Sequence, residues 1–180
     1  TLLTFEQWEE INRVKKPIFI TFDDGYKNNL NAFAIFQKVK NENFKPTATF
    51  FVISDFVGQA NRLSKADLKE LSDSGYISIQ SHTANHPELT KTSKLEYELK
   101  GSKEKIQMIT GKPVIALAYP YGEYNKQVIN ETKKYYQFGL TTIPEYYSEK
   151  GEKNELYLLP RKYIKYSTTL EEFAKIVEGS

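Results

Sequence analysis

Apolar positions along this chain switch period several times, between the short continuous runs of buried strands and the 3.6-residue spacing of amphipathic helices. Residues 18–22 are apolar or β-branched and predict a first strand. Residues 29–41 carry Leu30, Phe33, Ala34, Phe36 and Val39 at helical spacing. Residues 47–52, Thr-Ala-Thr-Phe-Phe-Val, predict a second strand. Ser64 and Asp67 form a capping pattern that opens a helix through Leu68 and Leu71, ending near Gly75. Residues 76–80 predict a third strand, 93–110 the longest helix, 114–118 a fourth strand, 125–136 a helix and 138–142 a fifth strand. Residues 145–155 are polar and read as a loop, 156–159 as a sixth strand, and 170–177 as a closing helix. Before all of these, Thr4 and Gln7 mark a capped helix running to about Val14.

Strands alternating with helices predict parallel βα units and an α/β fold in one domain, residues 1–180. In such folds function sits at the carboxyl ends of the strands. Three polar motifs occupy those ends: Asp23-Asp24-Gly25 after the first strand, His82 after the third, and Tyr119–Gly122 after the fourth.

Composition narrows the chemistry. The 180 residues carry a net charge of +2, too small to argue for a nucleic-acid partner. With no cysteine, disulfides, thiolate nucleophiles and cysteine metal sites are excluded. No apolar run reaches the length of a membrane span. The 13 tyrosines and 11 phenylalanines are compatible with a sugar-binding groove and equally with an aromatic core. The chain begins Thr1-Leu2-Leu3-Thr4, which reads as a processed or truncated piece.

The chain has only two histidines, His82 and His86, in His-Thr-Ala-Asn-His-Pro. Spacing of four puts both imidazoles on one side of a helical turn, able to grip one ion. Two histidines and one carboxylate make a three-ligand site with open positions, the pattern of a catalytic metal centre. Asp23 or Asp24 supplies the carboxylate; the alternative for this pair is a solvated turn closing a strand.

Thr-Phe-Asp-Asp-Gly at 21–25, His-Thr-x-x-His-Pro at 82–87 and Ala-Tyr-Pro-Tyr-Gly at 118–122 resemble, in order, the motifs of the NodB-type polysaccharide deacetylases (carbohydrate esterase family 4). The resemblance implies a distorted (β/α) barrel, a divalent metal, usually zinc, and hydrolysis of N-acetyl groups on an extracellular or cell-surface glycan. Carried over, Asp24, His82 and His86 bind the metal, Asp23 is the general base, and the backbone N–H of Tyr121 faces the developing oxyanion. An ordinary turn is the alternative for 119–122.

Two departures matter. Most members pair the base with an arginine that begins the third motif, where this chain has Ala118. Arg161, after the sixth predicted strand, is the candidate replacement; a plain surface arginine is the alternative. Most members also carry a later histidine as general acid, and this chain has no third histidine. Together these features resemble the branch acting on poly-β-1,6-N-acetylglucosamine, a circular permutation in which the acid precedes the first motif. That resemblance places the acid upstream of Thr1. A domain that binds glycan with little turnover, or an amidase acting on a small amide, are the competing functions.

Overall fold

The computed structural model describes residues 1–179. Five strands form one sheet: β1 (Thr21–Phe22), β2 (Ala48–Val52), β3 (Ile77–Ser81), β4 (Ala116–Ala118) and β5 (Phe138–Leu140). All neighbours are parallel and the order is β1-β2-β3-β4-β5. Consecutive order without a reversal is the winding of a (β/α) barrel, here about half closed, and differs from a doubly wound sheet. Helices α1 (Leu30–Val39), α2 (Lys65–Asp73), α3 (Ser102–Thr110), α4 (Lys126–Tyr135) and α5 (Leu170–Glu178) lie where the helical spacing predicted them. The Ser64–Asp67 capping box at α2 is present, with Asp67 N donating to Ser64 Oγ at 3.1 Å and Ser64 N to Asp67 Oδ2 at 2.7 Å.

Strand alternation divides the core in two. Phe50, Val52, Ile77, Ile79 and Leu117 face outward and bury against Phe36, Leu68, Leu71, Leu99 and Ile106 of the helices. Phe51, Ala116, Ala118, Phe138 and Leu140 face the barrel interior with Phe5, and Trp8 and Phe19 pack beside them. Both faces of β2 are thus covered, which is why its residues are buried without exception.

The first segment departs from the sequence expectation. Phe5–Glu10 is a 3-10 helix rather than an α-helix reaching Val14. A 3-10 turn brings residues i and i+3 into line. Phe5 and Trp8 therefore stack, with rings 10° from parallel and centroids 6.3 Å apart. Both enter the amino end of the barrel, where Phe5 lies 5.0 Å from Phe19 and Trp8 lies 4.9 Å from Phe138.

The sixth strand is also corrected. Glu155–Tyr157 is a 3-10 turn, and Leu159 alone bridges to Leu140. The Tyr119 hydroxyl donates to the Tyr157 carbonyl at 3.1 Å, so that carbonyl is taken by a side chain instead of a strand ladder. Gly139 makes this possible: a Cβ there would meet the Tyr119 hydroxyl at 2.3 Å. Leu159 still pairs locally, receiving Thr141 N and donating to Gly139 O, each at 2.9 Å.

Candidate active site

At the end of β1 the chain turns sharply. Asp24 has φ 71° and Gly25 φ 66°. Gly25 sits against β2, where a Cβ would come 3.0 Å from Val52 Cγ1. Arg62 Nη1 donates to the Asp24 carbonyl at 2.6 Å and Leu63 N to the Gly25 carbonyl at 3.0 Å, fixing the turn. The two carboxylates consequently separate, Asp24 toward the histidines and Asp23 toward Arg161.

His82 extends the β3 ladder, its N–H donating to Val52 O at 2.9 Å. Its Nδ1 is 2.8 Å from the Ala118 carbonyl. A carbonyl only accepts, so Nδ1 carries the proton and the Nε2 lone pair is free. Burial pushes the His82 imidazole down, against the opposing pull of Asp23, which keeps it neutral and able to ligate.

His86 reaches the same point by a route the spacing did not predict. Residues 82–86 are a loop, not a helical turn. Thr83 (φ 68°) and His86 (φ 58°) both adopt left-handed backbone. The His86 N–H donates to Thr83 Oγ1 at 2.9 Å, folding the loop back. The two Nε2 atoms end 3.1 Å apart.

Asp24 Oδ1 lies 3.6 Å from His82 Nε2 and 3.7 Å from His86 Nε2. Donors on a tetrahedral ion at about 2.0–2.1 Å stand roughly 3.3 Å from one another. Asp24, His82 and His86, whose donor atoms all lie within 4.8 Å of each other, therefore fit one divalent cation. Left-handed backbone costs about 1–3 kcal/mol at a non-glycine residue, and such strain clusters at functional sites. Asp24, His86 and Tyr121 (φ 60°) all carry it.

Asp23 is held differently. Its oxygens accept from Arg161 Nη1 at 2.8 Å and Nη2 at 2.9 Å, a two-pronged pair. Arg161 also donates through Nε to Thr141 O at 3.0 Å and through Nη1 to Thr21 Oγ1 at 3.3 Å. It is half-buried at the barrel mouth and is not a plain surface arginine. Ala118 is fully buried in the inner cluster of β4, so the guanidinium beside Asp23 comes from Arg161 instead. Burial pushes the Asp23 carboxyl up, but Arg161, helped by His82 and His86, outweighs it and holds the group below the usual carboxylate range.

Tyr121 lies in the 3-10 turn Pro120–Gly122 with left-handed backbone. Its exposed ring meets the His86 ring edge-on at 4.7 Å. Gly122 (φ 71°) is obligatory there, since a Cβ would come 2.1 Å from Thr142 Oγ1.

Residues 54–63 lie beside the first motif, with Lys27 N donating to Asn61 O at 2.8 Å. In the 145–155 loop, Tyr147 packs against Trp8, 5.2 Å between rings, at the amino end of the barrel. Sequence reading missed Arg62, Asn85 and Glu98, which brace the two ligand loops. Nothing local marks Arg62; the short polar run after His82 was the one available signal for the others.

The polysaccharide deacetylase family profile matches residues 10–140. The chain belongs to the polysaccharide deacetylase family. It is 36% identical over 126 residues to a peptidoglycan N-acetylmuramic acid deacetylase of Bacillus subtilis, covering 68% of this chain and 45% of that protein. It is 30% identical over 159 residues to the poly-β-1,6-N-acetyl-D-glucosamine N-deacetylase of Staphylococcus epidermidis, covering 78% of this chain and 53% of that protein. The crystal structure of a polysaccharide deacetylase from Bacillus cereus superposes with TM-score 0.97 at 54% identity, covering 98% of this chain and 56% of that one. This chain thus spans about half the length of the relatives it matches.

Proposed function

We propose that residues 1–180 form one deacetylase domain that removes acetyl groups from N-acetylated sugars of an exported or cell-surface polysaccharide. The observation that carries this reading is the pairing of two sites: a three-donor cluster of Asp24, His82 and His86 beside a carboxylate, Asp23, kept ionised by Arg161. The cluster is where a divalent cation binds, and its two imidazoles and one carboxylate match zinc. Bound there, the cation supplies Lewis acidity toward an acetamide carbonyl and acidifies water.

Asp23 accepts the proton of the attacking water, and Arg161 keeps it deprotonated and aimed. The Tyr121 N–H donates to the carbonyl oxygen as it gains negative charge. Water adds to the acetyl carbon, and as the C–N bond breaks the proton that Asp23 took from the water passes to the departing nitrogen, giving acetate and a free amine. Both histidines of the chain are taken as ligands, so neither is free to protonate the leaving amine. Action on such polymers places the protein outside the cytoplasm, and no helix among the described residues is long and apolar enough to cross a membrane.

Poly-β-1,6-N-acetylglucosamine is the favoured substrate. Its support is the combination of Ala118 with an arginine from outside the third motif, Arg161, paired to Asp23. Peptidoglycan is the competing substrate, supported by the 36% identity to the peptidoglycan enzyme. Acetate release from β-1,6-linked N-acetylglucosamine oligomers and from peptidoglycan, measured with the zinc-loaded protein, separates them. Stoichiometric zinc without acetate from either polymer would overturn the enzyme reading in favour of a glycan-binding domain.

A further inference from the structure

The loop that joins His82 to His86 follows a path that backbone preference opposes, with Thr83 and His86 both left-handed. Something outside the loop must hold it. On one side Thr83 O accepts from Ser54 N at 3.1 Å and Ala84 O from Asp55 N at 3.0 Å. On the other side the contacts converge on one acid. Glu98 Oε2 accepts from Asn85 N at 2.8 Å, and Glu98 Oε1 from Asn85 Nδ2 at 3.2 Å. The Glu98 backbone carbonyl accepts from Ala84 N at 3.1 Å.

Glu98 is only 3% exposed, and among the described residues its carboxylate pairs with no cation. Burying a carboxylate is costly unless its oxygens are satisfied. Here the satisfying groups belong to the metal-site loop. A helix surface would not ordinarily present both a side chain and a carbonyl to the same two residues. The distortion that allows it is a π turn, Tyr97–Gly101, leading into α3. Such turns widen a helix locally and occur often at functional sites. Gly101 lets the Tyr97 ring lie across the turn, since a Cβ would come 3.1 Å from that ring. The Tyr97 hydroxyl then donates to Asp55 Oδ2 at 2.7 Å, tying the turn to the strand-end segment on the loop's far side. The buried Ser81–Ser102 hydroxyl pair, 2.8 Å apart, anchors the helix to β3.

We propose that Glu98 is a positioning residue for the metal centre: its carboxylate holds Asn85, and through Asn85 keeps His86 Nε2 in register with His82 and Asp24. This rests on the metal reading above. The π turn carries Glu98 and so presents that carboxylate to the loop.

The test uses the whole chain stripped of metal by chelation, then titrated with Zn2+ against a chromogenic chelator, with melting temperature measured in parallel. Glu98→Met keeps the buried volume and removes both acceptors; its Zn2+ affinity should fall about 10–100-fold. Glu98→Gln should stay within about threefold, because Gln accepts from Asn85 N–H and donates to a flipped Asn85 amide. Asn85→Gly, at an exposed position, loosens the same loop and should cost about fourfold. Wild-type affinity in Glu98→Met, with or without a lowered melting temperature, overturns the proposal. Should Glu98→Met not fold, wild-type affinity in Asn85→Gly overturns it. A wild-type chain that takes no Zn2+ overturns the metal reading and this inference with it, an outcome distinct from equal binding by both proteins.

Discussion

Two adjacent aspartates with different partners are the centre of this protein. Asp24 joins the histidines and Asp23 joins Arg161. That division predicts separable effects. His82→Ala should abolish stoichiometric zinc in metal analysis. Asp23→Asn should keep the zinc and lose turnover by about 10²–10⁴-fold in acetate release. Arg161→Met carries a pH signature. Arg161 holds the Asp23 carboxyl below the usual carboxylate range, so the proposed base is ionised where an ordinary carboxyl begins to protonate. Without Arg161 that carboxyl rises, and the acidic limb of kcat/KM should move to higher pH; an unmoved limb would remove Asp23 from the base role. At this scale the sequence was informative where chemistry is written locally. Asp23, Asp24, His82 and His86 stood out because so few residue types do what they do at that spacing. Arg161 was ambiguous because its partner is 138 positions away, a distance across which no sequence periodicity reaches.

At the scale of elements, strands and helices were legible because burial on two faces or one face leaves a clear period. The failures are physical and instructive. The segment at Phe5–Glu10 is 3-10, and two aromatic rings three residues apart enter the amino end of the barrel together. Residues 156–159 lost their strand because a tyrosine hydroxyl took a ladder carbonyl. The His82–His86 loop mimics helical spacing with left-handed residues, which local propensity does not favour. The third motif depends likewise on a close approach. Gly122→Ala should displace Tyr121, because both the positive φ and the Thr142 hydroxyl resist a Cβ. We expect a lowered melting temperature and a turnover loss with zinc affinity near wild type, read by calorimetry, acetate release and metal titration together.

For the whole molecule, the two ends of the barrel have separate duties. The amino end is closed by Phe5 and Trp8 against Phe19, Phe51 and Phe138. The carboxyl end carries the candidate site. Phe5 is buried to 3% exposure, so Phe5→Ala should cost about 3–5 kcal/mol of stability. Zinc affinity of the folded variant should not change, since the substitution lies at the opposite end. Denaturant unfolding and metal titration on the same preparation check both halves of that statement.

The contact between Arg161 and Asp23 also sets an order in time. During synthesis Asp24, His82 and His86 leave the ribosome first, Ala118 with its carbonyl for His82 follows, and Arg161 comes 75 residues after His86 (161 − 86). At about 5–20 residues per second, that interval lasts roughly 4–15 seconds. A nascent chain in that window carries all three candidate metal ligands and still lacks the guanidinium that pairs with Asp23.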